Sequence, residues 1–453
     1  MMDTVTDISK DHEKLAKDLA GQGVKYALAS WIDVLGRPKS KMVPIDHLPN
    51  LIAGSERYTP RGMGGIGVMD PVEDEVAGIP DVSTLKVLPW DRRVAWMVAD
   101  MSWGGREPYA LCGRSILKKQ IAAAADLGYA AQLGVEPEFY VFKPESLQAG
   151  STQLVPMALS GEIKPSPAYD VETTLDSMEF LDKMSGYMEE LGFGLYSFDA
   201  EGGEGQYEFD FGHAPVLESA DRMTLFRLMA RQAAKECGLL ATFMPKPFAD
   251  LWGSGAHFNM SLEDLTTGEN VFRDANDKTQ WTKETFHFIG GVLAHARSLT
   301  ALANPTTNSY RRLVPRLADG QISWAPTNIS YGFNNRSCML RLPANRPAIE
   351  NRAVDSAANT YLASAYMLAA GLDGIRRGTE PGDARDDLSY MADVDSLPRS
   401  LRESVDAFVA DPLTAEVFHP TFITEYSEMK YAEWETANLE VTDRERSAYL
   451  LNL

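Results

Sequence analysis

Cysteine is scarce in this chain: Cys112, Cys237 and Cys338 are the only three in 453 residues, and no two form a C-x-x-C pair. So sparse and odd a set excludes a disulfide framework and suits a reducing compartment. Positive charge is short as well. With 43 Lys+Arg against 64 Asp+Glu, the formal charge is −21. A counterion-release grip on nucleic acid needs clustered cations, so none is expected. Anionic small molecules would have to be held by a few local arginines. Long hydrophobic runs are missing too. The longest mostly apolar stretch, YLASAYMLAAGL at 361–372, is too short to cross a bilayer. The opening residues, MMDTVTDISKDHEKLAKDLAGQG, are charged throughout and lack the apolar centre of a secretory signal. The expectation is a cytoplasmic protein with neither a membrane nor a nucleic-acid partner.

Several catalytic signatures are also absent. No Gly-Lys pair occurs, so there is no Walker A loop, and neither H-E-x-x-H nor G-x-S-x-G is found. Gly62, Gly64 and Gly67 do spell G-x-G-x-x-G, but VMDPVEDEV follows, with Pro71 inside it. A dinucleotide site needs a helix opening at the last glycine, and that requirement fails here. Any use of ATP must come from another architecture.

What is present is the composition of a folded protein, with 44% hydrophobic and 24% charged residues. The first hundred residues read as β-rich. KYALASWID (25–33), the turn Leu35-Gly36-Arg37-Pro38 and KSKMVP form a hairpin pattern. A further apolar run, VAWMVADMSW, ends at Gly104-Gly105. From about residue 113 helical patterns alternate with short strands. ILKKQIAAAADL ends at Gly128, VETTLDSMEFLDKMSGYMEEL at Gly192, and ADRMTLFRLMARQAAKEC runs from Ser219 to Gly238. TKETFHFIGGVLAHARSLTALA is stopped by Pro305, and AANTYLASAYMLAAGLDGI is the last long apolar helix. A boundary near 105–113 separates a small β-rich unit from a large α+β one.

Polar residues cluster in four segments. In GVEPEFYVF (134–142) alternation puts Glu136 and Glu138 on one strand face, ~7 Å apart from the strand rise. Buried together, two such anions need a proton or a cation between them; on an exposed strand they need nothing. In DAEGGEGQYEFDF (199–211) glycines separate Glu201 from Glu208, and Gln206, Glu208 and Asp210 share a face. That segment reads equally as an ordinary acidic loop. GSGAHFNMSL (253–262) puts His257, Asn259 and Ser261 on one face, and PAIENRAVD puts Glu350 and Arg352 at i and i+2. A lone histidine is more often a core residue than a ligand, but this one leads a polar face behind a glycine bend. Five glutamates and one histidine suit Mg²⁺ or Mn²⁺. Arg311, Arg312, Arg336, Arg341 and Arg352 stand in apolar or small-residue settings. Guanidinium forks there can bind carboxylate or phosphate, although any one of them could be a surface ion pair. Acids and arginines together resemble the two halves of a phosphoryl-transfer site.

With GVEPEFYVF, GEGQYEFDF, ATFMPKPFADLWGSGAHFNMSL, NPTTNSYRRLVP, NNRSCMLRLP and IENRAVDSAANTYL in that order, the chain resembles the glutamine synthetase family from about residue 20 to its end. The resemblance implies an α+β fold, with a β-grasp domain over 20–107 and a catalytic domain with a curved antiparallel sheet over 113–453. It implies a homo-oligomeric ring, typically a dodecamer, with sites between neighbours. Glu138, Glu201 and Glu208 match the ligands of one divalent metal, and Glu136, His257 and Glu350 those of the other. Gly253, Arg312 and Arg352 match glutamate contacts, while Arg336, Arg341, Asn259 and Ser261 match ATP contacts.

The sequence also departs from the family. Asn259 replaces the last histidine of GSGMHCH, and Trp252 replaces the Asn before Gly-Ser-Gly. The loop F-D-G-S-S, whose acid helps bind ammonium, corresponds to RYTPRGMGG (57–65), which has no acid. After LVP, the family's Gly, aromatic and Glu become Arg316, Leu317 and Ala318, with Asp319 next. The ammonium pocket has lost its acids and grown less polar, so a methyl group fits, and Asp319 is left as the expected base. The reading is a ligase that spends ATP to join the γ-carboxylate of L-glutamate to a small amine through γ-glutamyl phosphate. Methylamine leads, as in the family's glutamate–methylamine ligase branch, with ammonia the alternative. A non-catalytic member would have eroded metal ligands, and all six positions are intact.

Overall fold

A computed structural model describes residues 2–61, 72–104, 107–144, 168–274, 276 and 280–451, without the side chains of 2–9. Gly62, Gly64, Gly67, Gly105 and the end of the 57–65 loop lie outside the described residues. The fold is α+β, with two mainly antiparallel sheets and helices packed against them. No helix of the described residues is long and apolar enough to cross a membrane.

The first sheet has seven strands among the described residues. Tyr26–Ile32 pairs antiparallel with Pro38–Lys39 and Met42–Pro44, as the hairpin pattern predicts, and parallel with Asp91–Trp103. Val76–Leu88, not foreseen as a strand, joins Asp91–Trp103 antiparallel. The helix Met2–Gly21 was also missed. Its Ala16 and Leu19 pack with Ala27, Ala29, Ala95 and Met97. A unit starting at residue 20 therefore leaves out a helix that shares the first sheet's core.

The second sheet is organised on the long strand Tyr129–Phe142. Ala256–Asp264 and Gln206–Phe211 pair antiparallel on its two sides, and Ile349–Asn351 pairs with Ala256–Asp264. Leu340–Leu342 and Tyr331–Phe333 extend one edge, and Leu195–Ala200 the other. Along the central strand one face is apolar. Phe139 stacks on Phe209 and Phe243 at 5.9 and 5.1 Å, with Phe180 and Phe226 edge-on. This face lies against the helices Met178–Leu191 and Val216–Glu236. Glu136 and Glu138 are thereby turned to the opposite face.

Local breaks revise the expected helices. Ser219 is not a cap: the helix starts at Val216, and the Ser219 hydroxyl donates to the Leu133 carbonyl at 2.5 Å. The 282–303 pattern bends at His295 into Lys283–Ala294 and Ala296–Ala303. After Thr360–Arg377 come four more helices over 401–449, including Pro420–Asn438, which buries Phe422 and Tyr426. Two polar residues tie the sheets together. Arg114, 2% exposed, bonds Asp81 and Asp100 of the first sheet and Asp221 beside the second, at 2.8–3.1 Å. Asn359 caps Thr360–Arg377 and donates to the carbonyls of Asp33 and Val34.

Candidate active site

Antiparallel register assembles the site. Side chains directly opposite on paired strands stand ~5 Å apart at Cβ, and here His257 lies opposite Glu136, Glu208 opposite Glu138, and Asp199 opposite Glu208. Glu350 lies opposite both Asn259 and Arg341. His257 Nδ1 is 3.3 Å from Glu136 and 3.9 Å from Glu350, and its Nε2 is 3.5 Å from Glu138. Two triads thus draw ligand atoms within 4.8 Å of one another: Glu136–His257–Glu350, and Glu138–Glu208–His257. Glu138 also accepts from the Gly255 amide at 2.8 Å and from Gln206 at 3.3 Å.

Crowded burial governs the electrostatics. Burial, with the charge of Glu138, pushes Glu201 up to about 8 and Asp199 to about 6. Burial and Glu136 push Asp210 to about 7, and Glu208 is raised well above the usual range by burial and four neighbouring acids. Burial, aided by Arg352, lowers His257 to about 3, so its imidazole is neutral with a lone pair to give. Buried acids that repel one another, with unpartnered oxygens on Asp199 and Asp210 and a neutral imidazole among them, fit a divalent cation. Glu350 behaves differently. Burial would raise it, but Arg352 and Arg341 hold it below the usual value.

The arginines line the other wall. Arg352 meets Glu350 at 2.5 Å and donates through Nε to the Arg336 carbonyl at 3.1 Å. Arg341 bonds Glu350 at 2.7 Å and Asn334 at 2.5 Å. Arg312 donates to the carbonyls of Ala353 and Arg352 at 2.9 and 3.0 Å. A side chain at Gly253 would put Cβ 2.7 Å from both Arg312 Cγ and the Pro245 carbonyl, so only glycine fits beneath that arginine.

A cavity of about 500 Å³ collects these groups, lined by Glu136, Glu138, Glu201, Glu208, His257, Gly253, Arg312, Arg336, Arg341 and Arg352. Tyr169, Trp252 and Trp324 add an aromatic wall, the two indoles 6.2 Å apart. A second cavity of about 350 Å³ adjoins it. Asn259, Ser261, Tyr196 and His213 line that one, and Glu136 and Arg346 border both.

Almost all of the expected residues meet in these two cavities. Glu201 lines the first without joining either triad. Arg311 is exposed and lines neither cavity, and Asp319 is a clearer departure. It sits at the exposed tip of a turn, bonded to Gln321 N and Nε2 at 3.0 and 2.7 Å, outside both cavities. Ala318 is exposed beside it, and Ser323, Trp324 and Ala325 build the wall instead. Asp199, Asp210, Trp324 and Arg346 went unassigned in the sequence. Asp210 shares a face with Glu208 and Asp199 alternates with Glu201, so period 2 could have found both. Trp324, which adopts φ +60°, and Arg346 gave no such signal.

Acids able to hold cations beside buried guanidinium forks are the two halves of phosphoryl-transfer chemistry. Residues 110–449 match the family model "Glutamine synthetase, catalytic domain". A glutamine synthetase of Rhizobium meliloti (strain 1021) is 33% identical over 95% of this chain and 97% of its own. A glutamate–methylamine ligase of Methyloversatilis universalis is also 33% identical, over 94% and 96%. A solved structure described as "GmaS/ADP complex-Conformation 1" superposes with a TM-score of 0.88 at 33% identity, covering 96% of this chain and 99% of that one. The chain belongs to the glutamine synthetase family, and it is a carbon–nitrogen ligase of the glutamate–amine type.

Proposed function

We propose that the enzyme joins the γ-carboxylate of L-glutamate to methylamine at the expense of ATP, giving γ-glutamylmethylamide. The observation that carries this reading is the wall of the larger cavity. Beside the acids and arginines stand Trp252, Trp324 and Ala325, an apolar surface fit for a methyl group. Burying one methyl is worth ~0.8 kcal/mol, a few-fold in affinity. A relative of matching length carries the name glutamate–methylamine ligase, which supports the same choice. Ammonia is the second reading, because relatives of equal identity are named glutamine synthetase.

Arg312 and Arg352 offer buried forks to the carboxylates of glutamate, with the Gly253 backbone alongside. Asn259 and Ser261 place ATP in the smaller cavity, its phosphates turned toward Arg336 and Arg341. Glu138, Glu201 and Glu208 would hold one Mg²⁺ or Mn²⁺, and Glu136, His257 and Glu350 another. Such cations, when bound, neutralise phosphate oxygens. The γ-carboxylate oxygen attacks the terminal phosphorus and ADP leaves. Phosphate then leaves the acyl carbon as the amine nitrogen attacks. The methylammonium must first lose a proton. Asp199, with a buried unpartnered oxygen on the cavity wall, is the better-placed acceptor than the exposed Asp319. The aromatic wall keeps water from the acyl phosphate.

The test is ADP release with L-glutamate and either methylammonium or ammonium, at one pH and saturating ATP. A higher kcat/KM for methylammonium is expected; a clear preference for ammonium overturns the amine assignment and leaves the ligase standing. Asp199→Asn should suppress amide formation more than glutamate phosphorylation. Should Asp319→Asn do so and Asp199→Asn not, the base is Asp319.

A further inference from the structure

Arg346 lies in the loop 343–348, between the strands Leu340–Leu342 and Ile349–Asn351. Its Nη2 is 2.6 Å from Glu136 and 3.2 Å from Glu350, and its Nε donates to Asn259 at 2.9 Å. Glu136 and Glu350 are two of the three groups in the His257 triad that could hold a metal. A guanidinium has five donors and no lone pair to give, so it can only pair with these oxygens as a rival cation. Two other arginines touch Glu350, but they are fixed. Arg341 and Arg352 are 10% and 5% exposed and are tied to Asn334 and the Arg336 carbonyl. Arg346 is 30% exposed and borders both cavities, so of the three it is the one whose own charge can reach water when it swings.

We propose that Arg346 is a tethered counter-cation of the Glu136–His257–Glu350 site: it neutralises the two carboxylates while the site is free, and an incoming divalent metal must displace it. The displaced guanidinium stays beside the smaller cavity, where an anionic ligand can receive it. Metal and nucleotide then favour each other's binding, because each stabilises the swung-out arginine. The inference rests on the reading of the two cavities as metal and nucleotide sites, but its test needs neither glutamate nor amine.

The full-length protein, stripped with a chelator, is titrated with Mn²⁺ in the absence of nucleotide, and free Mn²⁺ is read by electron paramagnetic resonance. Removing the rival cation in Arg346→Gln should tighten Mn²⁺ binding about tenfold or more. Arg346→Met, which keeps the apolar stem, should do the same and replaces the first variant should that one fail to fold. Adding Glu136→Gln, which removes a ligand of this triad alone, should cancel the gain and locate it here. Arg346→Lys should stay within about threefold of wild type, since a charge is retained. Mn²⁺ binding equal to or weaker than wild type in the neutral variants overturns the proposal. A gain that survives Glu136→Gln overturns it as well. Absence of ligase activity alongside a tightened Kd would defeat the proposed reaction and leave this inference intact.

Discussion

At the scale of single residues, Arg352 shows how much of the site depends on fork geometry. One arm bonds Glu350 at 2.5 Å while Nε holds the Arg336 carbonyl, and the side chain lines the cavity. A lysine keeps the charge but is a point donor on a flexible stem, unable to hold carbonyl and carboxylate together. Arg352→Lys should lower kcat by about 100-fold, ~2.7 kcal/mol of transition-state stabilisation. Steady-state kinetics with glutamate as the varied substrate would check this. A change in KM alone would make Arg352 a contact that binds substrate and transition state equally. The residue was legible in the sequence because it follows Glu350 at i+2 in an apolar segment.

Among the elements, the break at His295 is informative. Its Nδ1 is 2.8 Å from Asp411 and its Nε2 3.2 Å from Asp373, so one imidazole joins the paired helices Lys283–Ala294 and Ala296–Ala303 to Thr360–Arg377 and Pro412–Val417. Ser298 also donates to Asp411, and Arg377 to Asp373. Burial alone would lower the histidine, but bonds to Asp411 and Asp373 raise it above 6.5. A raised histidine contributes stability below its unfolded pKa and loses it as pH rises through the folded one. Thermal midpoints should therefore fall as pH is taken from 6 upward past 7. His295→Asn should flatten that fall and cost about 3 kcal/mol at pH 6, because two buried carboxylates lose their shared cation. A variant whose pH profile parallels wild type would remove His295 from this role.

For the whole molecule, Arg114 and Asn359 tie the two sheets together, and the larger cavity is walled by strands of the second sheet. The chain also leaves apolar side chains without cover: Leu439, Val441, Tyr449, Leu450 and Leu451 are all exposed around the last helix. These side chains fall within 439–451, and apolar surface left open there suits a partner. We propose that this surface is a second copy in a homo-oligomeric ring, the dodecamer that the family resemblance implies. Light scattering should then give about twelve times the 49.9 kDa chain mass. A monomer that is fully active at assay concentration would contradict the ring. The 57–65 loop is described only to Arg61, which pairs with Glu425 of its own chain.

Alternation along strands was readable without any structure, because period 2 dictates which side chains share a face. Glu136 with Glu138, His257 with Asn259 and Ser261, and Glu350 with Arg352 were all visible that way, and so was the first hairpin. The stop at Gly192 was readable from its glycine, but the single helix expected before it divides at Ser177 into Val171–Asp176 and Met178–Leu191. Tertiary structure alone decided which strands lie side by side. Only that pairing sets His257 opposite Glu136, makes the carboxylates neighbours and shifts their proton affinities. It likewise carried Asp319, adjacent in sequence to the position of the expected acid, out to a solvent-facing turn, and set Arg346 and Trp324 on the cavity wall. Faces follow from local chirality and pleat. Neighbours across a sheet follow from register and topology, which no single segment contains.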